Sequence, residues 1–183
     1  MSVTDNDRYA VTIGWAYVYS LVWFVPVGGL AWWYQQWWGS LADDLRARPG
    51  WFLLFLLVSL VVGSGVHELI HGWTWVWLGG LSWSEVEIGV KWRALTPYAH
   101  CGSVMTARAY WWGTAMPGIV MGLVPVGLGL WWGNDWVMVF GLIFTLAAAG
   151  DVLILLKTWS LPARQLVRDH PSLAGCLVVE GGG

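Results

Sequence analysis

Polar residues nearly vanish from four long stretches of the chain, 11–38, 51–78, 109–132 and 136–156. Each is close to or above the ~20 residues an α-helix needs to cross the hydrocarbon core of a bilayer. The pattern therefore predicts four transmembrane helices, the first kinked at Pro26 with Gly28 and Gly29. Between the second and third the pattern changes period. Val86, Ile88, Val90 and Trp92 alternate with Glu85, Glu87, Lys91 and Arg93, as in a half-buried strand, and "TPYAHCGSV" returns as its partner after the Thr96-Pro97 break. This predicts a β-hairpin at about 83–105. Beyond the fourth stretch, "LPARQLVRDHPSLAGCLVVE" reads as a short surface helix ending near Pro171, followed by a strand in "GCLVVE". The terminal Gly181, Gly182 and Gly183 read as disorder or an expression scar. The expected fold is an all-α integral membrane protein: a four-helix membrane domain over 1–156 with a small cytoplasmic β-hairpin between helices two and three, and a cytoplasmic tail over 157–183.

Composition agrees with a membrane setting. Of 183 residues 57% are hydrophobic and only 11% charged, and the mean hydropathy is +0.59. Eighteen are tryptophans, many at the ends of apolar runs (Trp32, Trp33, Trp37, Trp38, Trp51, Trp131, Trp132 and Trp136), where an amphipathic ring suits the headgroup layer. A net charge of -2 gives no basic field for nucleic acid. Arg8, Lys91, Arg93, Arg108, Lys157, Arg164 and Arg168 fall on one side of the expected membrane, against Arg46 and Arg48 on the other. Both termini are therefore expected in the cytoplasm. The first apolar run is too long for a signal-peptide core and no small-residue cleavage site ends it, so it is read as a mature helix. Cys101 and Cys176 lack C-x-x-C spacing, which argues against a disulfide framework or a thiolate zinc site.

The chemistry lies where lipid should reject it. "VVGSGVHELIHGWTW", residues 61–75, holds His67, Glu68 and His71 inside an apolar helix. Histidines at i and i+4 share one helical face and can aim two imidazole nitrogens at one ion, while the intervening glutamate can reach a metal-bound water. Ionisable groups at membrane depth are costly and usually mark function. A purely structural histidine pair, bonded to neighbouring helices, is the weaker alternative.

A catalytic zinc site takes three protein ligands and an open position. Asp151 is the one carboxylate well inside another predicted helix. At a rise of ~1.5 Å per residue, His67 lies about 24 Å from the start of helix two and Asp151 about 22 Å from the start of helix four, so the two are level. Gly63-Ser64-Gly65 and Ala147-Ala148-Ala149-Gly150 would let those helices approach closely. Competing third ligands are Glu85, Glu87, His100 and Asp135. Asp135 lies on the far side of the membrane, the two glutamates share a hairpin with compensating cations, and three histidines would leave net positive charge in apolar surroundings. Asp151 would also be costly unpaired, at about 2.5–3.5 kcal/mol. A divalent ion, one aspartate and hydroxide sum to zero, which makes the cluster tolerable at depth.

These residues resemble the small four-helix zincin peptidases of the membrane, related to the site-2 intramembrane metalloproteases. The resemblance rests on "HELIHG", "TPYAHC", "RAYWWGTAMPGIVMG", "AAAGD" and "RDHPSLAGC". It implies Zn²⁺ as cofactor, His67, His71 and Asp151 as ligands, Glu68 as general base, and a membrane-protein or peptide substrate met within the lipid bilayer. Site-2 proteases carry an Asn-Pro-x-x-Asp-Gly type segment, whereas the aspartate here follows glycine in "AGDV". His100 is then the nearest candidate for an oxyanion or substrate contact, alongside an ordinary hydrogen-bonded hairpin histidine. The alternative function is a non-proteolytic membrane scaffold or sensor with a structural or vestigial metal site, favoured if His100 closes the coordination. A bis-histidine haem is weaker, since His67 and His71 cannot supply opposite axial positions from one helix face.

Overall fold

The structure, a computed structural model, describes residues 8–41, 43–92 and 96–179. The terminal glycine run and Arg93 lie outside the described residues.

After a two-residue strand β1 (Ala10–Val11), Thr12 caps α1 (Ile13–Trp38) by accepting the Trp15 N–H, and the helix runs through Pro26 without interruption. A short α2 (Asp43–Ala47) leads to α3 (Pro49–Val58), which passes through a π turn at Ser59–Gly63 into α4 (Ser64–Gly79). The third apolar stretch is α5 (Ala107–Pro117), a second π turn at Gly118–Leu123, and α6 (Val124–Trp132). Three helical segments, Gly14–Trp38, Pro49–Gly79 and Ala107–Trp132, are long and apolar enough to cross a membrane. Many large apolar side chains point outward from them, including Leu21, Val25, Leu53, Leu57 and Val61. Such a coat suits lipid rather than water.

The fourth stretch departs from expectation. In place of one helix, α7 (Asp135–Ala147) and α8 (Ala149–Thr158) meet at Ala148 with a 45° bend, and count as a fourth span only if taken together. Thr145 falls among the last four carbonyls of α7, which lack helical partners. The Trp23 indole N–H donates to its carbonyl oxygen at 2.7 Å. The bend also puts Asp151 in the first turn of α8, where the helix dipole favours a carboxylate.

The fold is mostly helical rather than all-α. The expected hairpin is present as β2 (Val86–Lys91) and β3 (Thr96–Cys101), antiparallel with Glu87 opposite His100 and Ile88 opposite Ala99. A second sheet was not expected. Strands β4 (Met105–Thr106), β5 (Leu166–Asp169) and β6 (Ala174–Val178) join β1 in the antiparallel order β1-β6-β5-β4. The surface helix expected before Pro171 is therefore a strand. Val167 is fully buried while Leu166 and Arg168 are exposed, a period of two that pays off only once β4 and β6 flank it. The strand expected in "GCLVVE" is β6. His170 shapes the β5–β6 connection, its Nδ1 accepting the N–H groups of Ser172 and Leu173. Cys101, Met105, Tyr110, Val167 and Cys176 bury together with Trp75, so this sheet is packed onto the ends of α4 and α5.

Candidate metal centre

His67 and His71 lie one turn apart on α4, both 6% exposed, and Glu68 is half-buried beside them. Ligand atoms of the three lie within 4.8 Å of one another. From α8, Asp151 presents one carboxylate oxygen to each imidazole: Oδ2 lies 3.1 Å from His67 Nε2 and Oδ1 3.5 Å from His71 Nε2. The sequence-level match in depth is thus a spatial meeting. The π turn directly before α4 adds a residue to the helical repeat just upstream of His67, a feature common beside functional sites.

His71 is fixed from behind by a hydrogen bond, and both imidazoles by a stacked ring. A carbonyl can only accept, so His71 Nδ1–H donates to the Gly113 carbonyl oxygen at 2.8 Å. That assigns the proton to Nδ1 and leaves Nε2 facing Asp151. The Trp75 ring stacks on His71 with centroids 5.6 Å apart, and Phe144 stacks on His67 at 6.1 Å. Both aromatic rings press on glycines. A Cβ at Gly113 would strike the Trp75 indole, and one at Gly63 would strike Phe144. His67 Nδ1 is buried with no hydrogen-bond partner among the described residues.

A set of two buried imidazoles and a half-buried carboxylate, mutually within reach, has the donor chemistry of a zinc site. Gly113→Ala tests the support behind it. The added methyl must displace Trp75 or the carbonyl that orients His71, and zinc affinity is expected to fall about 10-fold or more, read by competition with a chromophoric chelator.

Of the other acids named from sequence, Asp135 and Glu85 are engaged elsewhere, and Glu87 lines the cavity without joining the cluster. Asp135 accepts the Tyr34 hydroxyl at 2.5 Å, at the start of α7. Glu85 accepts the Ser82 N–H and the Ser103 hydroxyl, each at 2.7 Å. Those two hydrogen bonds, the Ser82 one foremost, hold its pKa below the usual glutamate value. Glu87 lies across the hairpin from His100. His100 pairs with Asp169, Nδ1 to Oδ2 at 3.3 Å. Sequence reasoning missed Asp169.

A cavity of about 560 Å³ joins the metal centre to Glu87, His100 and Asp169. His67, Glu68, His71 and Asp151 form one wall, the hairpin from Pro97 to His100 another, and Asp169 with the 170–175 connection a third. Ala99 turns its backbone N–H toward the Glu68 carboxylate.

Two histidines one turn apart with a glutamate between them, set in a cavity among apolar helices, define a zincin-type centre in a chain whose helices are long and apolar enough to span a membrane. Comparison with known families bears on the same stretch: residues 52–166 match the family described as "Putative zincin peptidase". The chain belongs to that family, which implies a metallopeptidase that uses zinc. No curated protein and no solved structure matches the chain.

Proposed function

We propose that this protein is a zinc-dependent intramembrane peptidase, of site-2-protease-like logic, that hydrolyses peptide bonds of membrane-associated protein substrates. The observation that carries the reading is the meeting of His67, His71 and Asp151 around one point, with Glu68 beside it in a cavity large enough for a peptide segment. His67, His71 and Asp151 are the residues that would hold the ion. Zinc, when bound, polarises a peptide carbonyl and lowers the pKa of water.

The chain's own residues supply the rest. Glu68 takes the proton from the attacking water and passes it to the leaving amine. The Ala99 amide keeps the carboxylate turned to the cavity between those events. His100, on the opposite wall, contacts the substrate carbonyl oxygen as negative charge develops there. A substrate helix hides its carbonyls in internal hydrogen bonds, so it must be locally unwound before attack. The β3 edge beside the site supports a way to hold it extended. Ala99 and Cys101 both direct their N–H groups away from β2, one toward Glu68 and the other to Asp169. Both N–H groups are taken, so a substrate strand adds along this edge through the outward carbonyls of Pro97 and Ala99.

The test is to incubate the purified full chain in detergent with a panel of single-span membrane substrates and map the products by mass. Cleavage at discrete bonds, abolished by chelation and restored by zinc, is expected. Intact substrates throughout would favour the scaffold or sensor reading.

The proposed orientation, with termini and hairpin cytoplasmic, has a separate test. The native thiols are poor reporters because Cys101 and Cys176 are fully buried. Burial raises both pKa values, and that of Cys176 is pushed up to about 12 by burial and then by the charge of Asp169. The reactive thiolate is therefore scarce. Exposed Ser84 and Asp43 are better sites. Asp43→Cys should react with an impermeant maleimide in intact cells, and Ser84→Cys only after permeabilisation. The reverse pattern contradicts the orientation.

A further inference from the structure

The carboxylate of Asp169 gathers three donors from two different elements. Its Oδ1 accepts the Tyr110 hydroxyl of α5 at 2.9 Å. Its Oδ2 accepts the Cys101 N–H of β3 at 3.2 Å and faces His100 Nδ1, also on β3, at 3.3 Å. Tyr110 is 2% exposed and the Asp169 side chain 13% exposed. Two donors hold the carboxylate in one orientation before His100 is considered, which makes it a rigid support rather than a mobile surface acid. Its sequence neighbours give it no such role. It acquires one because β5 pairs with β4 and β6 beneath the hairpin.

We propose that Asp169 is a positioning residue that holds His100 as an imidazolium, with Nδ1–H on Asp169 and Nε2–H left for the substrate oxygen in the cavity. The inference rests on the peptidase reading and gives it a missing part. A carboxylate accepts, so Nδ1 keeps its proton, and Nε2 is the ring atom free to act. A neutral ring with the proton on Nδ1 has a bare Nε2 and cannot donate to an oxyanion, so the second proton is essential.

The charges around His100 favour that proton. The hydrogen bond to Asp169 raises its pKa above the ordinary histidine value, burial opposes this, and the charges of Asp169 and of Glu87 across the hairpin raise it further while Lys91 lowers it. Tyr110 faces Asp169 rather than His100 and stays a neutral donor to it. A raised pKa keeps the imidazolium present to higher pH. Activity that depends on it is full below the His100 pKa and falls as pH rises through it. Replacing Asp169 by Asn keeps the shape and removes the charge, so the fall should begin at lower pH.

The test uses the full-length zinc-loaded protein in detergent, with ¹³C-labelled histidine, the His100 signal identified by its loss in His100→Gln. His100 is expected to titrate above the ordinary value of ~6.5 in wild type and at lower pH in Asp169→Asn. The alkaline limb of kcat should move with it while zinc content stays unchanged. The loss in Asp169→Asn should then be larger at pH 8 than at pH 6. His100→Gln should lower kcat roughly a hundredfold, and adding Asp169→Asn to it should cost no more. An unmoved His100 titration, a moved titration with an unmoved limb, or additive losses in the double variant would overturn the proposal. Should Asp169→Asn fail to accumulate, a wild-type His100 that titrates below ~6.5 overturns it by itself. If wild type cleaves nothing yet the titration still falls in Asp169→Asn, the peptidase reading fails and the pairing stands.

Discussion

Glu68→Gln is expected to keep zinc and to lower peptide hydrolysis by about 10²–10⁴-fold. The amide matches the carboxylate in shape, so the wall formed by His67, His71 and the hairpin is preserved, but it cannot take a proton from water. The Ala99 N–H that faces Glu68 can still meet the amide oxygen, which leaves the fold of β3 undisturbed. Metal analysis and a cleavage assay on one preparation separate the two roles. Full activity in the variant removes Glu68 as base, and lost zinc recasts it as a ligand.

Asp151→Ala is expected to lose zinc as severely as His71→Ala, whereas His100→Ala keeps it. The geometry behind this is the pair of contacts from one carboxylate to both imidazoles, at 3.1 and 3.5 Å. Removing the carboxylate takes away the anion that stands closest to both rings, at 3.1 and 3.5 Å. Without it, two buried histidines would hold a dication as its only two protein ligands, with Glu68 alone left to offset its charge in apolar surroundings. His71→Ala has the additional effect of stranding the Gly113 carbonyl that its Nδ1–H satisfies. His100 is held by Asp169 instead. A zinc-replete Asp151→Ala protein would remove Asp151 from the ligand set.

The parts of the site that lie on one regular helix were legible in the sequence, because helical spacing fixes which side chains share a face. His67, Glu68 and His71 needed only the i, i+4 rule. Asp151 was within reach because rise per residue converts position in an apolar run into depth, and depth was enough to pair two helices. The bend at Ala148 was not legible. Alanine is the strongest helix former, so "LAAAGD" signals continuity, and the bend depends on packing between helices and on an indole from α1. The π turns at Ser59–Gly63 and Gly118–Leu123 leave the apolar pattern of their runs intact and were equally silent.

The second sheet was hidden for another reason. Its strands are two to five residues long, too short for alternation to stand out, and they pair across nearly the whole chain, with Ala10 opposite Gly175. Asp169 and Gly113 owe their roles to those distant pairings and helix crossings. Asp169 was one acid among eleven, and the one local hint was its place in "RDHP", which reads as well for a surface turn.

The most direct test of the central claim is zinc-edge X-ray absorption on the purified wild-type protein. The spectrum should show two imidazoles together with oxygen ligands and no sulfur, the set supplied by His67, His71 and Asp151 with a position left for water or substrate. A third imidazole would point to His100 closing the site and to a structural or sensing role, and a sulfur shell or the absence of zinc would contradict the assignment outright.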